Sequence, residues 1–224
     1  VSIRSQEQVA LLTDYDTGSA YSAAYYTFFA NIRFNWTKEQ CVHTLLLCPP
    51  AMYTGQATVA ANVAIAAAKS GTPTILVDAD LRAPGLERRF GMEKGEGLSD
   101  LLAKDMITAQ VVRQHLRDTF IPSLRLLSAG MAAEDDALLL SEKLQAAIQT
   151  ISLCLSETET APGMVIFNSS PVLAGPDASL IGTLVEQTIL TIAKDRTTRT
   201  QAKQAQEQLE RAHTNLVGIV ILDV

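Results

Sequence analysis

Six short apolar runs punctuate this chain at intervals that helices fill. HTLLLC (43–48), TILV (74–77), LRLL (124–127), MVIF (164–167), TILTIA (188–193) and LVGIVIL (216–222) each read as a strand. Helical patterns are expected between them at 58–70, 85–90, 98–102, 109–118, 134–156, 177–185 and 198–212. Strands without a polar face need cover on both sides, and a parallel sheet obtains it from its crossover helices. The expected fold class is therefore α/β: a doubly wound, mainly parallel sheet flanked by helices. A polar extension (1–18) and an aromatic helix (19–36) come first. In that helix Tyr21, Tyr25, Phe28 and Phe29 or Ile32 recur at three- and four-residue spacing, which predicts one apolar face packed in the core or on a subunit. No repeat, low-complexity stretch or linker interrupts the pattern, so 1–224 reads as a single domain.

Composition removes several function classes. With 18 basic and 24 acidic residues the net charge is −6, which argues against a general nucleic-acid binder, since phosphate contacts need a basic face. Cys41, Cys48 and Cys154 are odd in number and widely spaced; they predict reduced, buried thiols rather than disulfides or a zinc site. No run approaches the ~18 apolar residues of a membrane span. The chain begins at Val1 and reads as a fragment, so a membrane segment of a longer parent would lie outside it.

In a doubly wound sheet ligands bind beyond the carboxyl ends of the strands. Three such ends carry informative residues. The first, CPPAMYTGQATVAAN, leads from a strand into a helix whose free N–H groups form a natural anion site. A phosphate loop there would read G-x-x-x-x-G-K-[ST]. Gly55 fills the second glycine, but Ala51 stands for the first, Gln56 for the lysine and Ala57 for the metal-binding hydroxyl, with Thr58 one place later and able to face a nucleotide. The second end, ILVDADLRAP, places Asp78 and Asp80 two residues apart, so that both carboxylates reach a metal or a reacting hydroxyl; helix capping is the plainer alternative. Arg82 is expected to pair with an anion or, within the protein, with Asp80. The third end, MVIFNSSPV, carries neutral Asn168 where phosphoryl-transfer enzymes place an Asp toward Mg²⁺.

The order of these segments resembles the cytoplasmic kinase domain of bacterial tyrosine kinases of the exopolysaccharide co-polymerase system, relatives of the MinD/ParA-like P-loop ATPases. The resemblance covers about residues 19–224. It is carried by NIRF (31–34), by TVAANVAIAAAKSGTPTILVDADLRAPGLERRFGMEKGEGLSDLLA (58–103), by LRLLSAG (124–130), by VIFNSSPVLAGPDASLI (165–181), similar to the Walker B segment, and by the last helix and strand. It implies a parallel sheet of seven or eight strands, ATP or ADP with Mg²⁺ as ligands, and a place at the inner face of the cell membrane beside co-polymerase and export proteins.

The departures fall on the chemistry. Active members carry Lys and Ser or Thr where Gln56 and Ala57 stand, and Asp where Asn168 stands. Their ring-forming Glu and two Arg are replaced by Ala23, Tyr26 and Phe29, and the C-terminal tyrosine cluster is absent from the chain. The expectation is a degenerate, pseudokinase-like regulatory or scaffold component of polysaccharide synthesis and export. Asp78 and Asp80 would be its residual metal and catalytic carboxylates. Gly55, Gln56, Ala57 and Thr58 would form a degenerate phosphate loop, and nucleotide binding would be weak or absent. The alternatives are an atypical active tyrosine autokinase and a MinD/ParA-like positioning ATPase.

Overall fold

The computed structural model describes residues 11–37, 39–53, 55–131, 142–158 and 161–223. Its strands form one seven-stranded sheet in the order β3-β4-β2-β5-β1-β6-β7. The strands are β1 (Val42–Cys48), β2 (Thr74–Ala79), β3 (Leu116–Asp118), β4 (Leu124–Leu127), β5 (Gly163–Ser169), β6 (Gln187–Ala193) and β7 (Leu216–Leu222). All pairings are parallel except β3–β4. The helices are α1 (Ala20–Phe34), α2 (Gln56–Lys69), α3 (Leu86–Arg89), α4 (Leu98–Ala103), α5 (Ala109–His115), α6 (Lys143–Thr158), α7 (Asp177–Gly182) and α8 (Arg199–Arg211). The expected doubly wound α/β architecture is present.

Side chains along the strands alternate between two cores. Leu46, Ile75, Val77, Val165 and Phe167 face a cluster completed by Leu101, Ile151, Ile181 and Leu209. Leu45, Leu47, Leu76, Met164 and Ile166 face the other, completed by α1, α2 and Leu86. The central strands β1, β2 and β5 thus bury both faces, the reason their sequences lack a polar alternate, whereas edge strand β7 leaves Ile219 and Ile221 exposed.

Helix α2 is built almost entirely of small residues, and eleven of its residues are buried, so it lies close against the sheet. Its buried Asn62 is satisfied: Oδ1 accepts from the Leu12 amide and Nδ2 donates to the Tyr21 hydroxyl. Helix α1 starts at Ser19, whose hydroxyl accepts from the Ser22 amide. It lays Tyr25, Phe29 and Ile32 into the α2 core. The aromatic face is therefore core packing for Tyr25 and Phe29, while Ala23 stays exposed and Tyr26 half-buried.

Three expectations need correction. The helix expected at 109–118 ends at His115, and Leu116–Asp118 turns into an antiparallel edge strand. The helix expected at 177–185 stops at Gly182. There an added Cβ would lie 2.7 Å from the Thr214 methyl, a close approach that only glycine permits. Cys41 is exposed, unlike Cys48 and Cys154, and all three thiols are free. The first part of the helix expected at 134–156 lies outside the described residues. Among the described residues no helix is long and apolar enough to cross a membrane.

Candidate functional site

Strands β2, β5 and β1 are adjacent and end at the same level, with Asp78 beside Asn168 and Ala79 beside Ser169. The loops that follow them enclose a cleft of about 160 Å³. Gly55, Gln56, Ala57, Asp80, Gly85, Arg88, Arg89 and Asn168 are among its walls. Whole-ligand pockets usually span about 300–1,000 Å³, so this one fits a fragment such as a phosphate group. A larger groove of about 860 Å³ lies elsewhere, between α1 and β7, and is bordered mainly by aromatic and aliphatic residues.

One half of the cleft comes from the turn into α2. Gly55 has φ of 104°, a left-handed conformation that favours glycine. It has no side chain to cap the helix, so the first-turn amides carry the positive end of the helix dipole toward the cleft. Gln56 does not stand free where a lysine would reach for phosphate. Its side-chain amide donates to the Ser169 carbonyl at the end of β5, bridging the loop to the neighbouring strand. Ala57 offers no hydroxyl. Thr58 is fully buried in α2 and is not among the lining residues; its hydroxyl has no hydrogen-bond partner among the described residues.

The carboxylate half divides in two. Asp78 is buried beneath the cleft. Its Oδ2 accepts from the Gly85 and Leu86 amides, both at 3.0 Å, and its Oδ1 from Asn168 Nδ2 at 3.0 Å and, more weakly, from the Asp80 amide at 3.4 Å. Burial pushes its carboxyl up to about 6, against the opposing pull of the Leu86, Asn168 and Gly85 donors; the neighbouring Asp80 raises it further. This is the capping alternative in a specific form: Asp78 fastens the start of α3 to the sheet. Asp80 lines the cleft and accepts from the Ala83 amide at 3.1 Å. Its carboxyl is also raised, first by burial and, after the lowering by the Ala83 and Arg82 amides, by nearby Asp177.

Asp78 lies buried beneath the cleft and Asp80 lines it, one residue past the end of β2 at Ala79 and near enough for its charge to raise the Asp78 pKa. Among the described residues no group of three or more His, Cys, Asp or Glu side chains is arranged to hold a metal. Arg82 pairs with Asp177 (3.1 Å), the first residue of α7, and its charge also lowers the Asp80 pKa. Asp177 also accepts from the Ser170 hydroxyl at 2.9 Å.

Two lining residues escaped the sequence reading. Arg88 and Arg89, from α3, border the same cleft as Gln56 and Ala57. The available signal was an adjacent arginine pair shortly after the DxD segment, in GLERRFG. A polar orphan accompanies them: Asn168 Oδ1 is buried, lines the cleft, and has no hydrogen-bond partner among the described residues.

No protein-family model matches the chain. Curated relatives do. The chain is 30% identical over 220 residues to tyrosine-protein kinase YwqD of Bacillus subtilis, covering 97% of this chain and 86% of YwqD. It is 27% identical over 177 residues to putative tyrosine-protein kinase EpsB of Ralstonia nicotianae, covering 79% of this chain and 22% of EpsB. A putative tyrosine-protein kinase in the cps region of Klebsiella pneumoniae is 23% identical, with 75% of this chain and 22% of that protein covered.

Solved structures agree on the fold. The kinase domain of the Escherichia coli tyrosine kinase ETK superposes with a TM-score of 0.82 at 18% identity, covering 97% of this chain and 81% of that one. The septum site-determining protein MinD of Pyrococcus horikoshii, complexed with Mg-ADP, gives 0.61 at 18% identity, covering 80% and 70%. The fold is thus shared with both kinase domains and MinD ATPases, and the near full-length likeness to YwqD narrows it: this chain belongs to the bacterial tyrosine kinase family.

Proposed function

We propose that this chain is a phosphotransfer-impaired member of its family, acting as a regulatory or scaffold component of bacterial polysaccharide synthesis and export. Its partners would be membrane co-polymerase and export proteins, and its place the inner face of the cell membrane. The cps-region relative supports the assignment to a polysaccharide system.

The observation that carries the reading is the bridge from Gln56 to the Ser169 carbonyl. The position that would present a mobile cation to the outer phosphates presents a neutral amide already bonded within the protein. Ala57 beside it has no hydroxyl for a metal, and Asn168 has no charge for one. A bound nucleotide with Mg²⁺ would supply the transferable phosphoryl group; the α2 amides after Gly55 would bind its phosphates, and Asp80 and Asn168 Oδ1 would face its hydrated Mg²⁺. Loss of one charge-assisted hydrogen bond costs roughly 1.5–3 kcal/mol. Loss of one transition-state donor typically costs about 10²–10³ in rate. Three such groups are missing around one phosphoryl position, and though their effects need not add, efficient turnover is not expected.

A second reading, an atypical active autokinase, draws on Asp80, a buried carboxylate at the cleft with a raised pKa, the property of a general base. Transfer from radiolabelled ATP·Mg²⁺ to the protein and to a tyrosine copolymer separates the two. The proposal expects no transfer above background. Robust transfer that disappears in Asp80→Asn would overturn it in favour of the autokinase.

A further inference from the structure

A phosphate site needs positive charge, and the loop that ordinarily brings it has none: between Pro49 and Thr58 stand Gln56 and Ala57 and no described basic residue. The cleft is nonetheless not without cations. Arg88 and Arg89 approach it from α3, across from the first turn of α2. Arg88 is exposed, so its guanidinium is available to a ligand. It also differs from other arginines of the chain. Arg82 is paired with Asp177, Arg113 with Glu157 and Arg117 with Glu87, whereas Arg88 has no ion pair among the described residues. Its helix is held in place by the Asp78 carboxylate through the Gly85 and Leu86 amides, so the segment that carries the arginine has a fixed mount.

The same wall carries the orphaned Asn168 Oδ1, buried and with a lone-pair site open to a donor or hydrated cation. A buried acceptor left without a partner is costly, and one bordering a cleft indicates that the cleft takes a ligand or its water. Asp80 on the same wall is negative and would oppose an anion on its own. The two arginines and the α2 dipole outweigh one carboxylate whose pKa burial already raises.

We propose that Arg88 replaces, from α3, the phosphate-binding charge that the loop lacks, so that the cleft holds the diphosphate end of a nucleotide. The inference rests on the cleft being the nucleotide site, as proposed above, but not on whether the phosphoryl group is transferred. A planar guanidinium forms paired hydrogen bonds to phosphate oxygens, and it does so without occupying the loop position that Gln56 uses for its bridge.

The test is calorimetric titration of the full chain with ADP·Mg²⁺, with inorganic pyrophosphate, and with adenosine. Wild type is expected to bind ADP and pyrophosphate with an affinity that falls as salt rises. Arg88→Gln should weaken both by about ten- to a hundredfold and leave adenosine unchanged, while Arg88→Lys retains part of the affinity. Lys69→Gln, at the far end of α2, should match wild type. Unliganded melting temperatures of the variants should coincide, because Arg88 and Lys69 are exposed. Equal ADP and pyrophosphate affinity in wild type and Arg88→Gln overturns the inference, as does a wild type that binds neither. The phosphotransfer result bears only on the proposed function: a wild type that transfers phosphate robustly refutes impairment whatever Arg88 does.

Discussion

Asn168 Nδ2 donates to Asp78 Oδ1 at 3.0 Å across adjacent strands, in a pair that is almost wholly buried. The neutral amide at the end of β5 is thus a structural partner of the carboxylate beside it. Restoring the acid by Asn168→Asp would remove a donor from Asp78 and set two carboxylates in contact. The expected cost is about 1–3 kcal/mol from the lost bond and the desolvated charge. In the variant one of the two acids is held protonated, so the loss deepens as pH rises. Thermal melts at pH 5 and pH 8 check this, and an equal loss at both would contradict it.

Asp78 itself predicts a pH slope. Its folded pKa of about 6 lies above the ordinary 3.8, so the folded state holds the proton more tightly than the unfolded state. Its contribution is fully present below about pH 4, declines as pH rises through about 6, and is flat above that. Asp78→Asn keeps an acceptor for the Gly85 and Leu86 amides and can donate to Asn168 Oδ1 once that amide is turned. It should flatten the slope between pH 4 and 6 with little loss of stability at neutral pH. Asp78→Ala should cost roughly 2–4 kcal/mol by stranding those amides. Denaturant titrations across pH measure both.

Reinstating the loop chemistry should raise nucleotide affinity. In Gln56→Lys combined with Ala57→Thr, a cation and a hydroxyl enter the cleft beside Gly85, which leaves ordinary van der Waals room next to Ala57. Each charge-assisted bond contributes about 1.5–3 kcal/mol, so ADP·Mg²⁺ affinity should rise at least tenfold by calorimetry. Part of the gain is offset by the lost bridge to Ser169.

Gly97 is fixed by its surroundings. A Cβ there would fall 2.1 Å from the Ser128 carbonyl oxygen, the atom that accepts from the Leu98 amide at 2.8 Å. Gly97→Ala should destabilise by more than about 2 kcal/mol through backbone displacement. Gly218→Ala, in β7 with nothing within 4 Å of the added atom, should be neutral or slightly stabilising. Paired urea titrations compare them.

The first helix makes an assembly prediction. Phe29 is 2% exposed and serves the α1–α2 core, so this position has no surface to offer a neighbour. Light scattering should find no stable octameric ring; a stable octamer would refute the expectation drawn from Ala23, Tyr26 and Phe29.

The central strand runs were legible because both faces of β1, β2 and β5 are buried: Leu45 and Leu46, adjacent in sequence, belong to opposite cores. Strand β3 was not, since three residues joined to a helix carry no period, and its pairing with Arg125–Leu127 is a tertiary event. At the site, the identities of Gln56, Ala57 and Asn168 were visible in the sequence, but their attachments were not. Gln56 reaches Ser169, and Arg82 reaches Asp177, over separations of 113 and 95 residues that no local pattern reports. Asp78 and Asp80 were visible as two carboxylates at the end of β2, but their separate partners, the Gly85 and Leu86 amides for one and the Ala83 amide for the other, were not.

The Gln56–Ser169 bridge has a consequence for signalling. A nucleotide switch is read by the difference between its loop with and without ligand, and that difference is the work the ligand does in ordering it. Here the Gln56 side chain is bonded to the neighbouring strand before any ligand arrives, so a ligand that reorders this turn must either keep that bond or exchange it for one of its own.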